Sequence, residues 1–588
     1  MIFLQFLIEC ASSRGRGRTL RAALALLCVT LASSLGFAGT AANVSAAFLH
    51  ASHAAVASDS QAASAAGVVL LRSGGNAVDA ACATALALGV IDPFASGLGG
   101  GGFALVYLAK PGKTVALDFR ETAPAMLKER RWDSRGIPAQ SGLSIGVPGE
   151  PRGLARMVER FGALPFSRCI EPALRLARGF VVSPWLAQQI REEIERNPDS
   201  GPDLLAKVFS IDRQAAARLH AGDRVARPAL AATLERLQRD GAEAFYRGDI
   251  ARTIVAAVSA AGGVLSLDDL ARYAPVERPP LVTAFLGRRV FGMPPPSAGG
   301  TILAEALGIL ENRLSIAKAW RREAGPTSSA YLHEVAEALK HGFADRARFL
   351  GDPAFTHVPL EHLLDPRYHR ELAARMQRDG ILAHDAYGTP AESRTRPARD
   401  GGTAHVSVID MAGNAVALTT TINQEFGARI VAAGVVLNDQ MDDFTFVPHL
   451  PDAFDLSGSE ANRPAPGKRP VSSMSPTIVL GDHGVELVAG AAGGPRIVSA
   501  TLQVLLDVLV FGLSPGQAIL APRIHHQWEP DILYYEPSLP SDVVRALEPL
   551  GQRPRSRTDI GKANAIRRTP SGLDAAADPR SGGAPAGY

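Results

Sequence analysis

The fold is decided by the stretch Asp400-Gly401-Gly402-Thr403-Ala404-His405-Val406-Ser407-Val408-Ile409-Asp410, in which two glycines precede a threonine. The alternation that follows predicts a β-strand with Val406 and Val408 on one face and His405, Ser407 and Ile409 on the other. A turn at residues 411–414 and a second predicted strand, Ala415 to Thr421, complete a hairpin. From these residues alone, a plain hairpin with a glycine entrance is the simplest interpretation.

A threonine that opens a strand directly after Gly-Gly can also become the first residue of a self-cleaved chain. Such a residue carries nucleophile and base together, because its hydroxyl oxygen attacks and its own α-amine takes the proton. The amine has an ordinary pKa of about 8, so modest desolvation makes it neutral at pH 7. The polar, Gly- and Pro-rich stretch 385–402 predicts an exposed loop that would present the bond before Thr403 for cleavage.

Composition and the N-terminus limit the class of protein. The 588 residues are 46% hydrophobic and 20% charged, as in globular proteins, and a net charge of +3 argues against nucleic acid as a partner. A basic region from Arg14 to Arg21 precedes an apolar run, Ala22 to Phe37, and then small residues. This order predicts a secretory signal over residues 1–42. We therefore expect a periplasmic or secreted protein with no stable membrane span after signal removal.

Glycine-rich stretches at two places suggest different roles. Gly493 and Gly494 lie between a predicted strand, Val485–Ala489, and a predicted helix, Ile497–Val510. Backbone N–H groups at such a junction can stabilise an oxyanion. The run Gly99–Gly102 instead precedes a strand, which favours tight backbone packing over nucleotide binding. No set of metal ligands and no cofactor motif is evident, so we expect neither a metal nor a cofactor.

Longer motifs in a consistent order resemble the γ-glutamyltranspeptidases, or glutathione hydrolases, of the N-terminal-nucleophile hydrolase superfamily. The resemblance runs from about His53 to Tyr588. It rests on the segments Gly74–Ala81, Gly99–Gly102, Asp118–Pro124, Gly402–His405, Asn438–Phe444, Lys468–Thr477 and Ala577–Arg580. It implies an α+β fold, a four-layer αββα sandwich that cuts itself before Thr403. The products would be a large subunit, 43–402, and a small subunit, 403–588, which stay together as one globular unit.

The same resemblance implies an activity and a set of site residues. The substrates would be glutathione and other γ-glutamyl compounds, with water or an amino acid or dipeptide as acceptor. Cleavage would fall between Gly402 and Thr403. The implied catalytic residues are Thr403 as nucleophile, Thr421 as its hydrogen-bond partner, and Gly493 and Gly494 as oxyanion donors. The implied substrate-binding residues are Arg120, Ser472 and Ser473 for the α-carboxylate, Asp443 for the α-ammonium, and Asn423 and Gln440 as neutral acceptors.

Two positions depart from the family pattern. Ala404 follows the nucleophile where Thr or Ser is usual, which bears on nucleophile positioning and on the rate of self-cleavage. Phe454 occupies a loop position where several bacterial members carry Tyr. Phenylalanine packs as well as tyrosine but donates no hydrogen bond, so we expect a looser closure of this loop.

Two other functions compete with this interpretation. A cephalosporin (glutaryl) acylase-like hydrolase would share the fold and the nucleophile, but its acyl group lacks the α-ammonium, so it has less use for Asp443. An inactive, binding-only relative would have no need for Thr403, Thr421 and the Gly493-Gly494 pair together. The presence of all these residues favours the γ-glutamyl enzyme.

Overall fold

Two seven-stranded antiparallel sheets form the centre of the protein, seen in a computed structural model that describes residues 47–127, 136–138, 140–314, 325–389, 401–447 and 451–588. The strands are β1 (Phe48–Ala51), β2 (Ala55–Ser58), β3 (Gly101–Leu108), β4 (Lys113–Phe119), β5 (Phe180–Val181), β6 (Arg224–Val225), β7 (Val276–Arg278), β8 (Leu281–Phe285), β9 (Arg288–Gly292), β10 (Gly401–Ile409), β11 (Ala415–Gln424), β12 (Val431–Ala432), β13 (Val435–Val436), β14 (Thr477–Gly481), β15 (Gly484–Ala492), β16 (Ile524–His525), β17 (Leu533–Tyr535), β18 (Pro554–Ser556), β19 (Lys562–Thr569), β20 (Gly572–Ala577) and β21 (Ala586–Gly587). The first sheet has the order β21-β2-β10-β11-β3-β4-β7, and the second has the order β1-β20-β19-β15-β14-β9-β8. The remaining strands form small separate sheets.

Helices cover the outer faces of both sheets. They are α1 (Gln61–Arg72), α2 (Ala77–Ile91), α3 (Glu150–Phe161), α4 (Phe166–Ala177), α5 (Pro184–Arg196), α6 (Gly201–Phe209), α7 (Arg213–Ala216), α8 (Pro228–Asp240), α9 (Glu243–Tyr246), α10 (Gly248–Ala260), α11 (Leu267–Arg272), α12 (Gly299–Arg313), α13 (Ser329–Phe349), α14 (Leu360–Leu363), α15 (Pro366–Arg375), α16 (Arg496–Leu509), α17 (Pro515–Leu520) and α18 (Ser541–Leu547). Helices α1 and α2 pack on the first sheet, and α12 and α16 pack on the second. The predicted four-layer αββα sandwich is therefore confirmed.

Alternation along the strands explains why both faces of each sheet are buried. In β10, Val406 and Val408 pack with the core under α1 and α2, whereas Ile409 packs with the core between the two sheets. Helix α2 is buried on nearly every side and begins at Asn76, whose side chain accepts hydrogen bonds from the backbone amides of Val78 and Asp79. The faces assigned to β10 from its sequence are those seen in the structure.

The predicted loop 385–402 extends too far at its C-terminal end. Gly401 and Gly402 are buried and belong to β10, where they pair with Gln424 and Asn423 of β11. Glycine carries no side chain, so side-chain alternation could not reveal that the strand begins there. Residues 390–400 of that predicted loop lie outside the described residues.

The run Gly99–Gly102 is a packing site, as predicted. A Cβ atom at Gly99 would lie 2.0 Å from the Val436 carbonyl oxygen, and one at Gly100 would lie 2.0 Å from the Thr421 carbonyl oxygen. Only glycine fits this close contact between backbones. The run therefore lets β3 approach the strand that carries Thr421.

The predicted signal, residues 1–42, lies outside the described residues. Within the part of the chain that the structure describes, no helix is both long and apolar enough to cross a lipid bilayer.

Candidate active site

A β-bulge places two threonine side chains beside each other at the start of β10. Thr403 pairs with Thr421 and Gly402 pairs with Asn423, so Ile422 is the extra residue on β11. Asn423 adopts a positive φ of 80° to complete the bulge. Bulges re-aim side chains next to the irregularity, and directly opposed residues of antiparallel strands bring their side chains together. Thr403 Oγ1 and Thr421 Oγ1 are 3.0 Å apart.

The proton arrangement at this pair follows from the partners of Thr421. Its hydroxyl donates to the Gly402 carbonyl oxygen at 2.6 Å, and its oxygen accepts from the Asn423 backbone amide at 2.9 Å. A hydroxyl has one proton and two acceptor sites, so Thr421 has only an acceptor left for Thr403. Thr403 therefore donates to Thr421, and Thr421 at the same time polarises the carbonyl directly before Thr403.

Backbone atoms of neighbouring segments pack closely around Gly402. A Cβ atom at Gly402 would lie 2.4 Å from the Phe94 carbonyl oxygen and 2.7 Å from that of Gln424. At Gly401 the nearest atom would be the Gly494 nitrogen at 3.0 Å, followed by the Phe454 ring at 3.4 Å. The carbonyl before Thr403 is thus held in a slot that admits no side chain.

Gly402→Ala is expected to slow cleavage of the chain about 100-fold, because a shift of about 1 Å at a reacting carbonyl costs that much. The measurement is the fraction of cleaved chain with time on a denaturing gel. Gly401→Ala is the matched control and should be affected less, because one of its two neighbours is a movable ring. Equal slowing by both substitutions would contradict the role of the slot at Gly402.

His405 cannot serve as a base for Thr403. Its ring lies between the two sheets, where Nδ1 is 2.9 Å from Thr419 Oγ1 and Nε2 is 3.1 Å from Ser407 Oγ. Burial lowers the pKa of His405 to about 3, so the ring is neutral at physiological pH. It is also absent from the lining of the pocket at Thr403.

A buried pair of opposite charges lies at the other end of the same pocket. The Arg120 guanidinium donates from Nη2 to Asp443 Oδ2 and to the Val471 carbonyl oxygen, the latter at 3.2 Å. Arg120 is 1% exposed and Asp443 is 8% exposed. Burial raises the pKa of Asp443, and the neighbouring Arg120 opposes that rise. Each charge compensates the other in the absence of a ligand.

Gln440 is placed to contact both Asp443 and a bound group. Its Nε2 donates to Asp443 Oδ2 at 2.7 Å, which fixes the amide orientation because a carboxylate only accepts. Its Oε1 has no hydrogen-bond partner among the described residues. A ligand N–H group beside Asp443 would find a second acceptor there.

Glu121 adds a second carboxyl group next to Arg120. Its Oε2 lies 3.6 Å from Arg120 Nη1. Burial raises the pKa of Glu121 to about 8, against the attraction of Arg120, so the group is mostly protonated at pH 7. Asp443 is thus the carboxyl group that makes the hydrogen-bonded pair with Arg120.

The structure brings most of the predicted site residues around one open cavity, whose empty space of about 350 Å3 includes part of the adjoining solvent. The predicted residues that line it are Thr403, Thr421, Gly494, Arg120, Asn423, Gln440, Asp443, Ser472 and Ser473. Gly493 precedes Gly494 at the end of β15, and both have positive φ values, 126° and 60°, which suit glycine. Gly402 adjoins the cavity through its contact with Thr421.

Six further lining residues were missed from the sequence: Arg346, Asp452, Leu456, Val471, Met474 and Ile497. Arg346 lies near the end of α13, 3.9 Å from Asp452 Oδ2, and donates to the Ser457 carbonyl oxygen at 3.2 Å. The helical pattern around Phe343 indicates the helix but not the loop that it meets. Phe454, which the sequence did single out, lies within the cavity and packs against Gly494.

Known proteins resemble this chain over nearly its whole length. The sequence model of the family described as Gamma-glutamyltranspeptidase matches residues 63–588. The chain is 38% identical over 544 residues to a glutathione hydrolase proenzyme from Escherichia coli K12, covering 90% of each chain. It resembles the structure of a cephalosporin acylase from Bacillus halodurans with a TM-score of 0.79 and 27% identity, over 92% of this chain and 97% of that one. It resembles the structure of γ-glutamyltranspeptidase from Helicobacter pylori with a TM-score of 0.50 and 34% identity. That match covers 55% of this chain and 91% of the other chain.

Proposed function

The chain belongs to the γ-glutamyltranspeptidase family, and we propose that Thr403 is its nucleophile, exposed when the precursor cuts itself after Gly402. The protein is a glutathione hydrolase and γ-glutamyltransferase. The observation that carries the assignment of the nucleophile is the contact chain from Thr403 through Thr421 to the Gly402 carbonyl oxygen.

Self-cleavage follows from that contact chain. Thr403 Oγ1 attacks the Gly402 carbonyl carbon, the peptide C–N bond breaks as the acyl group moves to the oxygen, and the hydroxyl proton ends on the departing nitrogen. The Thr421 hydroxyl stabilises the negative charge that develops on the carbonyl oxygen. Water then hydrolyses the ester, which leaves a carboxylate on Gly402 and an α-amine on Thr403. That amine is the base of the mature enzyme.

The mature enzyme uses the same oxygen on a γ-glutamyl amide. The α-amine accepts the hydroxyl proton and passes it to the leaving amine, and a glutamyl ester forms on Thr403. Backbone N–H groups of Gly493 and Gly494 stabilise the oxyanion, in keeping with the position of Gly494 on the cavity wall. Water, or the amine of an amino acid or dipeptide, then releases the glutamyl group.

Recognition of the substrate rests on the pair Arg120 and Asp443. A γ-glutamyl group carries its carboxylate and ammonium on one carbon atom, so a complementary pocket needs opposite charges side by side. Arg120, with Ser472 and Ser473, binds the carboxylate, and its planar fork suits that group. Asp443 binds the ammonium, with Gln440 Oε1 and Asn423 as neutral acceptors. When the ligand binds, the ion pair between Arg120 and Asp443 is replaced by two pairs, one of Arg120 with the carboxylate and one of Asp443 with the ammonium. No buried charge is then left without a partner.

The two subunits, 43–402 and 403–588, remain together after cleavage because both sheets combine strands from each. In the first sheet, the part of β10 that follows the cut lies next to β2 of the large subunit, and β11 of the small subunit lies next to β3. In the second sheet, β14 lies next to β9, and β20 lies next to β1. Separation of the subunits would therefore break backbone pairing in both sheets.

A glutaryl acylase is the second candidate, because the acylase structure shares the fold. The charge arrangement favours the γ-glutamyl substrate. A glutaryl group lacks the ammonium, so its carboxylate would compete with Asp443 for Arg120 and leave one carboxylate unpaired. An inactive relative is disfavoured by the intact contact chain at Thr403.

Purified protein is expected to show two fragments, the smaller of which begins Thr-Ala-His-Val. It should hydrolyse γ-glutamyl-p-nitroanilide and react faster when glycylglycine is added as acceptor. N-terminal sequencing and release of p-nitroaniline are the measurements. A different N-terminus would overturn the cleavage site, and a cleaved protein without turnover would overturn the activity.

The mature protein is periplasmic or secreted and lacks residues 1–42. The basic, apolar and small-residue order of the N-terminus supports this proposal. The intact mass of the large fragment from an exporting host should correspond to a start near residue 43. Retention of Met1 in active protein would contradict it.

A further inference from the structure

The strand that carries Thr403, β10, has a paired strand on both sides only from Val406 onward. On one side β10 pairs with β11 along its whole length, but on the other side β2 pairs only from Val406, opposite Ser58, to Ile409. Among the residues that the structure describes, the backbone of residues 403–405 therefore has no neighbouring strand on that side. Buried backbone groups without a strand partner need another one.

Side chains from two different parts of the fold take the place of the missing strand at His405. Asp59, directly after β2, accepts from the His405 backbone amide at 2.9 Å. Asn564 of β19, in the opposite sheet, donates from Nδ2 to the His405 carbonyl oxygen at 3.0 Å and to Asp59 Oδ1 at 2.9 Å. Asp59 is 6% exposed and Asn564 is fully buried.

Asn564 is itself held in place. Its Oδ1 accepts from the Asp578 backbone amide at 3.3 Å, and its carbonyl oxygen accepts from Ser407 Oγ at 3.2 Å. Asp578 Oδ2 in turn accepts from the Ala563 amide at 2.9 Å and from Arg523 Nη1 at 2.9 Å. The segment Ala577–Arg580, which the mechanism does not use, thus serves to fix Asn564.

The backbone nitrogen of Thr403, which would become the new amine, points to the same unpaired side of β10. In an antiparallel strand, both backbone groups of alternate residues point to the same side. His405 directs its N–H and C=O away from β11, so the nitrogen of Thr403, two residues earlier, points to that side as well. Among the described residues no strand pairs with it there, so the new amine is not held by sheet hydrogen bonds.

We propose that Asp59 and Asn564 position Thr403, by fixing the unpaired edge of β10 two residues from the nucleophile so that the amine and hydroxyl keep their reactive directions. This inference rests on the proposed role of Thr403. It predicts a loss in the chemical steps with little change in substrate binding, because neither residue lines the cavity.

Asn564→Ala tests the proposal, with Ser407→Ala as the matched control. Ser407 is buried on the same strand and touches Asn564 only through the carbonyl oxygen, so its removal leaves both Nδ2 hydrogen bonds intact. Asn564→Ala should slow self-cleavage and lower kcat for γ-glutamyl-p-nitroanilide by about 10-fold or more, with KM within about threefold of wild type. Ser407→Ala should change each value by less than about threefold. Both variants should lower the melting temperature.

Equal losses of rate in the two variants, or wild-type rates in Asn564→Ala, would overturn the proposal. If Asn564→Ala does not fold, Asp59→Asn decides by the same criteria, because it keeps the shape of the side chain but sets an amide against the Asn564 amide. The parent protein and Thr403→Ala are assayed alongside. Continued cleavage and turnover in Thr403→Ala would instead refute the role of Thr403, so the two failures are distinguishable.

Discussion

Thr403→Ala is expected to give a single uncleaved chain whose turnover of γ-glutamyl substrates is lower by at least about 10,000-fold. The loss is large because one substitution removes two groups. The hydroxyl that attacks is deleted, and without cleavage the α-amine remains an amide that cannot accept a proton. Denaturing gels and release of p-nitroaniline from the γ-glutamyl anilide measure the two effects.

Thr403→Ser is the control for this experiment. It keeps the hydroxyl and the contact with Thr421, and it deletes only a methyl group. Cleavage and turnover should therefore persist at reduced rates. A cleaved Thr403→Ala protein, or an inactive but fully cleaved Thr403→Ser protein, would show that another residue is the nucleophile.

Asp443→Asn should lower kcat/KM for γ-glutamyl anilide by about 30- to 5000-fold. The estimate follows from a cost of about 2–5 kcal/mol for leaving one member of a desolvated charge pair unpaired. In the variant the substrate ammonium would lie beside a neutral amide, while Arg120 would still pair with the substrate carboxylate. Turnover of glutaryl anilide should fall by less than about tenfold or should rise, because that substrate carries no ammonium to strand and its carboxylate no longer competes with Asp443 for Arg120.

The glutaryl substrate is the internal control, because it shares the carboxylate, the scissile amide and the nucleophile. Self-cleavage should also persist in Asp443→Asn, since the precursor contains no substrate. The measurement is kcat/KM of one enzyme preparation on both anilides. Equal losses on the two substrates would mean that Asp443 supports the fold or the nucleophile rather than the ammonium.

The fold was largely predictable because its signals are local. Alternation in β10 assigned Val406 and Val408 to one face and His405 and Ser407 to the other, and the structure has the same faces. Helix α2, Ala77–Ile91, is a run of mostly apolar residues that directly follows the capping residue Asn76. The start of β10 was not predictable, because Gly401 and Gly402 join the strand through backbone pairing alone.

The site was predictable only where the family resemblance supplied residues. Nine predicted residues share one cavity, although they come from distant parts of the chain. Arg346 and Asp452 were missed, because a charged residue in a helix or a loop looks the same in sequence whether it faces solvent or a pocket. The pairing of Arg120 with Asp443 was not foreseen either, since each had been assigned to a group of the substrate.

The sequence by itself indicated most of the strands and helices, because residue type and spacing record local preference. Its resemblance to a family supplied the proposed nucleophile and the charged residues that a γ-glutamyl group would need. The tertiary structure alone decided which of these groups meet. The bulge that sets Thr403 against Thr421 depends on the register of one hairpin. The pairing of Arg120 with Asp443 and the contacts of Asp59 and Asn564 with His405 join residues far apart in the chain. Neither the register nor the packing of distant segments is recorded in a local pattern.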